Sequence, residues 1–165
     1  MKIYFTSDTH FNHSNIIKYC DRPFKDVNHM NHFIINLWNR VVTPEDRVYH
    51  IGDFAMGNKS HWERFCRALN GHKILVRGNH DRSKEFMLSI GFDEVYDNMM
   101  YGDPNDPWQL VHNPLGMTGN VLCGHVHTAW RHHKDKRLEA INVGVDQWGF
   151  KPVTFEELMT ARNTP

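Results

Sequence analysis

Three short apolar runs, residues 2–7, 47–51 and 73–76, are separated by two stretches of helical periodicity, and this order leaves few folds open. Residues 26–42 place Met30, Phe33, Ile34, Leu37 and Val41 on one helical face. A second helix, capped by Ser60, puts Trp62, Phe65, Cys66 and Leu69 on one stripe and closes at Asn70-Gly71. Such a βαβαβ unit predicts parallel strands joined by right-handed crossovers. After a helix at 83–89 the texture turns to strands. Residues 94–101 and 108–111 flank the turn-rich Gly102-Asp103-Pro104-Asn105-Asp106-Pro107 as an antiparallel pair, and 121–123, 138–145 and Val153 follow. A closing helix at 154–162 takes Thr154 as its cap, with Glu157 placed to complete a capping box. At 165 residues and 40% hydrophobic content, the chain reads as one domain, 1–165, without repeat or linker.

On that scaffold the polar residues gather at strand ends. Asp8 and His10 follow the first strand, Asp53 the second, and Asn79, His80 and Asp81 the third. His112 ends the 108–111 strand, and His125 and His127 lie just after 121–123. The carboxyl ends of parallel strands are where open α/β sheets bind ligands. Thirteen histidines are a surplus, and imidazole is the commonest metal ligand at neutral pH.

The donor types define the chemistry. Residues i and i+2 of an extended segment point the same way, so Asp8-x-His10 and His125-x-His127 each present two side chains to one side. Asp8, His10, Asp53, Asn79, His112, His125 and His127 offer two carboxylates, four imidazoles and one amide. This mixed nitrogen and oxygen set suits Mn²⁺ first, then Fe²⁺, Ni²⁺, Zn²⁺ or Co²⁺, and is poor for Ca²⁺. Seven donors are too many for one small ion. Two ions roughly 3.5–4 Å apart, bridged by a carboxylate and a water, use them all. Gly52, Gly78 and Gly124 beside these donors let the backbone approach closely.

In chain order, Asp8-Thr9-His10, Gly52-Asp53, Gly78-Asn79-His80-Asp81, Leu110-Val111-His112-Asn113-Pro114 and Gly124-His125-Val126-His127 resemble the successive signatures of the calcineurin-like metallophosphoesterases. Arg22-Pro23-Phe24 and Ile141-Asn142-Val143-Gly144-Val145-Asp146 are similar to the small bacterial and phage-type branch. The resemblance implies a four-layer αββα sandwich of two mixed β-sheets flanked by helices. It also implies that Asp8, His10, Asp53 and His127 bind one metal and Asp53, Asn79, His112 and His125 the other, with Asp53 bridging. A hydroxide bridging the metals is then the expected nucleophile, and His80 the catalytic histidine, oriented and kept protonated by Asp81. The short 113–120 connection leaves little room for a cap domain.

Other residues are open to two readings each. His13 either lines the site or caps the helix starting near Ser14, and Arg22 either reaches a substrate phosphate through its fork or anchors the surface. Trp130 and Trp148 either flank the site or pack. The 131–137 basic run is a solvated hairpin turn or an attractor of anionic substrate. Nineteen basic residues balance nineteen acidic ones, so no global field exists to hold a polyanion. The expected partner is therefore a small phosphate ester, possibly a nucleotide, and not a membrane or long nucleic acid. A nuclease of the same superfamily and a non-catalytic scaffold are the alternatives. The absence of a signal-like leader or long apolar run, and three scattered cysteines, point to the cytoplasm.

Overall fold

The computed structural model describes residues 1–162, so the last three residues of the expected domain lie outside the description. Two five-stranded sheets carry the fold. The first runs in the order β10 (Val153–Thr154), β1 (Ile3–Thr6), β2 (Arg47–His50), β3 (His72–Val76), β4 (Glu94–Tyr96). Strands β1 to β4 are parallel and β10 is antiparallel. The second sheet runs β5 (Met99–Asp103), β6 (Asp106–Leu110), β7 (Gly119–Cys123), β9 (Leu138–Asn142), β8 (His132–Lys134). In it β6, β7 and β9 are parallel, while β5 and β8 are antiparallel edges. Both sheets are mixed, and helices flank them.

Alternation along each strand assigns the faces. In β1 to β3, Tyr4, Val48 and Leu75 face a cluster with Ile16, Met30, Ile34, Trp38, Trp62, Phe65 and Met87, contributed by helices α1 (Ser14–Tyr19), α2 (Val27–Val41), α3 (Lys59–Ala68) and α4 (Lys84–Ser89). Their neighbours Phe5, Tyr49, Ile74 and Val76 face the other way and meet Trp108, Leu110, Leu122 and Ile141 of the second sheet. This middle layer is closed by Leu158 of α5 (Phe155–Arg162). The capping box expected there forms: Thr154 Oγ1 accepts from the Glu157 N–H at 3.3 Å, and the Glu157 carboxylate accepts from the Thr154 N–H at 2.7 Å.

Four expectations are corrected. Phe33 is not on the buried face of α2; Asn31 and Trp38 are, and Phe33 leans on Phe24 with ring centroids 5.3 Å apart. The cap of α3 is Asn58, whose side chain accepts from the His61 N–H at 3.1 Å, whereas Ser60 lies inside the helix and donates to Asn58. The 94–101 run is not one strand. It breaks at Asp97-Asn98, where Asp97 pairs with Arg77, so that β4 ends the first sheet and β5 begins the second. The 131–137 run is also only partly a turn, because residues 132–134 form the edge strand β8 paired with β9.

Candidate metal centre

Parallel pairing in both sheets sends the loops after β1, β2, β3, β6 and β7 to one edge, and seven donor side chains meet there. Asp53 is the hub. Its Oδ1 accepts from the His80 N–H at 2.9 Å. Its Oδ2 faces His112 Nε2 at 3.3 Å, His10 Nε2 at 3.5 Å and His80 Nε2 at 3.9 Å. Asp8 Oδ1 lies 3.9 Å from His10 Nε2 and 3.8 Å from His127 Nε2. His125 Nδ1 is 3.0 Å from Asn79 Oδ1, and the His112 and His125 rings sit 5.2 Å apart. Asp8, His10 and His127 form one cluster with metal-ligand spacing, and Asp8, Asp53 and His112 form another.

The backbone is strained where the donors sit. Asp8, His10, Asp53, His125 and His127 have φ of 55°, 48°, 59°, 69° and 44°, the left-handed region that side chains rarely adopt. Asp8 is held there by its N–H to Gly52 O at 2.9 Å, and His10 by its N–H to Asp53 O at 3.1 Å. Two glycines permit the crowding. A Cβ on Gly78 would collide with Asp53 Oδ1, and one on Gly124 with Ser7 Oγ and Asp8 Oδ2.

Several buried nitrogens lack any hydrogen-bond partner: His10 Nδ1, His10 Nε2 and His112 Nε2. Buried polar atoms are normally satisfied. His112 Nδ1 is spent on Ile51 O at 2.8 Å, which leaves Nε2 bare and aimed at Asp53. These orphaned nitrogens, set among two buried carboxylates, are what a divalent cation would satisfy, so the residues present fit a metal.

The electrostatics of these residues are strongly coupled. Burial holds His10 down to about 2, so its imidazole is neutral and able to ligate. Burial also pulls His112 down, but the Asp53 carboxylate 3.3 Å from its Nε2 and the charge of Asp8 outweigh it and lift the ring to about 9. His127 is likewise penalised by burial, yet its bond to Asp146 and the nearby Cys20 raise it to about 10. Three carboxylates, Asp8, Asp53 and Asp146, thus draw protons onto His112 and His127. Burial raises Asp8, whereas the same effect on Asp53 is overcome by His112, and Asp53 lies below its ordinary value.

Not every expected role holds in the geometry. Asp81 does not touch the His80 ring: its carboxylate accepts from the N–H groups of Asp53 at 2.9 Å, Phe54 at 3.0 Å and Gly78 at 2.8 Å. It clamps two ligand loops together instead, and burial lifts it to about 6. Arg22 does not face solvent. Its guanidinium is buried and wholly engaged by Asp146, Met30 Sδ and the carbonyls of Asp8 and Thr9, so it has no donor left for a phosphate. It does not anchor the surface either, because its side chain is buried in the joint between the Asp8 and Asp146 loops. His13 lies beside the site, its ring 5.3 Å from His10 and 6.4 Å from His80, and it makes no side-chain cap to α1. With His80, Tyr19, Met56 and Cys20 it lines a cleft of about 410 Å³. Trp148 packs inward and donates to Asn142 O at 2.8 Å, while Trp130 stands beside His133 and His125 in a second cleft of about 410 Å³. Asp146, bonded to His127 Nδ1 at 3.1 Å, was not singled out from sequence. An acid shortly after an apolar strand is the same signal that marks Asp8 and Asp53, and it could have been read.

Comparison with known proteins places this geometry. The family model described as calcineurin-like phosphoesterase matches residues 1–156. The protein MJ1445 of Methanocaldococcus jannaschii is 38% identical over 168 residues, covering 94% of this chain and 88% of its own. The gene 66 protein of Mycobacterium phage L5 is 23% identical, covering 88% of this chain and 87% of its own. Among solved structures, AQ665 of Aquifex aeolicus, described as of unknown function, superposes with a TM-score of 0.76 at 34% identity over 96% of this chain and 98% of that one.

Proposed function

The chain belongs to the calcineurin-like phosphoesterases, and from that premise we propose that this metallophosphoesterase uses two divalent ions to hydrolyse small phosphate esters, diesters in preference to monoesters. The observation that carries the reading is the set of buried, unpartnered nitrogens on His10 and His112 facing the carboxylate of Asp53. Asp8, His10, Asp53 and His127 would hold one ion, and Asp53, Asn79, His112 and His125 the other. Their mixed nitrogen and oxygen donors favour Mn²⁺ over Ca²⁺, with Fe²⁺, Ni²⁺, Zn²⁺ and Co²⁺ as substitutes. When bound, such ions polarise phosphoryl oxygens and acidify water.

The chain's own residues supply the rest. His80 is 43% exposed on its side chain and stands at the mouth of the His13–Tyr19 cleft, where it can donate a proton to a departing oxygen. Asp53 Oδ1 and the Asp81 clamp fix the backbone from which that ring projects. Diesters are favoured because candidate donors line two clefts, His10 and His127 one and His125 the other. One is walled by His13, Tyr19 and Met56, the other by His125, Trp130 and Leu115, so each ester arm has a place. The balanced charge of the whole chain supports a small substrate over a long polyanion. We propose the cytoplasm as its compartment, supported by three free cysteines. Among the described residues no helix is long and apolar enough to cross a membrane.

The test is hydrolysis of bis(p-nitrophenyl) phosphate and p-nitrophenyl phosphate, with Mn²⁺ and after chelation, by the native protein and by His80→Ala. The diester should react faster, both activities should vanish on chelation, and His80→Ala should keep its metal while kcat falls by about 10²–10⁴. Activity that survives chelation, or a monoester preference, would overturn the reading.

A further inference from the structure

We infer that Arg22 and Asp146 form a buried positioning clamp that orients His127 and sets the distance between the three donors Asp8, His10 and His127. The inference rests on the metal reading above and goes beyond it, because Arg22 cannot ligate an ion and both Asp146 oxygens accept hydrogen bonds from Arg22 or His127.

One guanidinium joins segments far apart in sequence. Arg22 follows α1, and Asp146 sits in a short turn of 3₁₀ helix, Val145–Gln147, after β9 in the second sheet. Arg22 Nε donates to Asp146 Oδ1 at 2.8 Å, and Nη2 to Asp146 Oδ2 at 3.0 Å, a bidentate fork with both side chains nearly free of solvent. The remaining N–H groups reach back across the sheets, from Nη2 to Asp8 O at 2.7 Å and from Nη1 to Thr9 O at 3.1 Å. The guanidinium therefore grips the backbone that carries Asp8 and His10. Asp146 Oδ2 then accepts from His127 Nδ1 at 3.1 Å, which leaves Nε2 as the nitrogen pointed at Asp8 Oδ1, 3.8 Å away. A carboxylate on the far nitrogen of a ligating histidine fixes its tautomer and ring plane. Cys20 competes on that side, its sulfur within 4.8 Å of the His127 and Asp146 donor atoms.

The clamp touches the Asp8–His10–His127 cluster directly, through the Asp8 and Thr9 carbonyls and the His127 ring, and reaches the other donors only through Asp8, whose carboxylate accepts from the His125 N–H at 3.0 Å; the rings of His112 and His125 are held by Ile51 O and Asn79. Lysine cannot replace Arg22, because a point charge does not span two carboxylate oxygens and two carbonyls.

Calorimetric titration with Mn²⁺ of native protein, Asp146→Asn and Arg22→Lys tests this. Two ions should bind the native chain, and in each variant one of them should weaken by about 10–100-fold while the other changes little. A native protein that binds no ion defeats the metal reading itself. Native binding of two ions with both affinities unchanged in the variants, or both lost together, defeats the clamp alone. Because a buried arginine left without its partner can unfold a variant, the second measurement uses the native chain loaded with Zn²⁺. Long-range ¹⁵N–¹H spectra should show His127 with its proton on Nδ1 and metal on Nε2. Metal on Nδ1, or a proton on neither nitrogen, overturns the proposal.

Discussion

At the scale of single residues, His50 shows how much of the centre is set from beneath. It is fully buried at the end of β2, stacked on Trp38 with centroids 6.4 Å apart, and its Nε2 meets Thr9 Oγ1 at 2.9 Å. Thr9 also donates to Phe54 O at 2.8 Å, so the peptide between Asp8 and His10 is tied to the loop that carries Asp53. Burial keeps His50 neutral down to about 3. Its folded value lies below its unfolded one, so as pH falls from about 6.5 the unfolded chain gains a proton that the folded chain refuses, and stability drops. In metal-free protein, urea unfolding between about pH 6 and pH 4 should lose roughly one bound proton of its pH dependence in His50→Gln. An unchanged slope would mean that His50 is not the neutral group described. The sequence marks His112 as a candidate donor through Leu110-Val111-His112-Asn113-Pro114, but nothing in it marks His50 as the support. Both follow apolar strands, and in the structure the partner of the second ring nitrogen, Thr9 for one and Ile51 O for the other, separates them.

At the scale of elements, the βαβαβ half was legible because each strand centres on a short apolar run and each helix carries an apolar stripe. What sequence periodicity could not resolve was where an element ends when the residues just outside it also carry helix or strand character. Ser60 looks like a cap, yet Asn58 two residues earlier takes the position and Ser60 supports it from inside. Asn58→Ala should therefore lower stability by about 1 kcal/mol, and Ser60→Ala by a fraction of that, as read from thermal midpoints. The reverse order would restore Ser60 as the cap. The 94–101 run failed for a different reason, since its residues suit strands in both halves. The break at Asp97 is decided by Arg77, twenty residues away in sequence.

At the scale of the whole molecule, the candidate donor set could be read as seven residues in five strand-end segments, since each is placed by local order, and the fold brings those segments to one edge. The clamp beneath it could not be, because Arg22 and Asp146 are 124 residues apart and only the docking of the second sheet on the first brings them together. The same docking makes the centre: Asp8, His10, Asp53 and Asn79 come from one sheet, and His112, His125 and His127 from the other. The centre is thus a joint between sheets, and its central claim is that this joint holds two ions. The most direct measurement is anomalous diffraction at the manganese edge from a crystal of Mn²⁺-loaded protein. Two peaks should stand roughly 3.5–4 Å apart on either side of Asp53, one among Asp8, His10 and His127 and one among Asn79, His112 and His125. A single peak, or peaks away from Asp53, would contradict it.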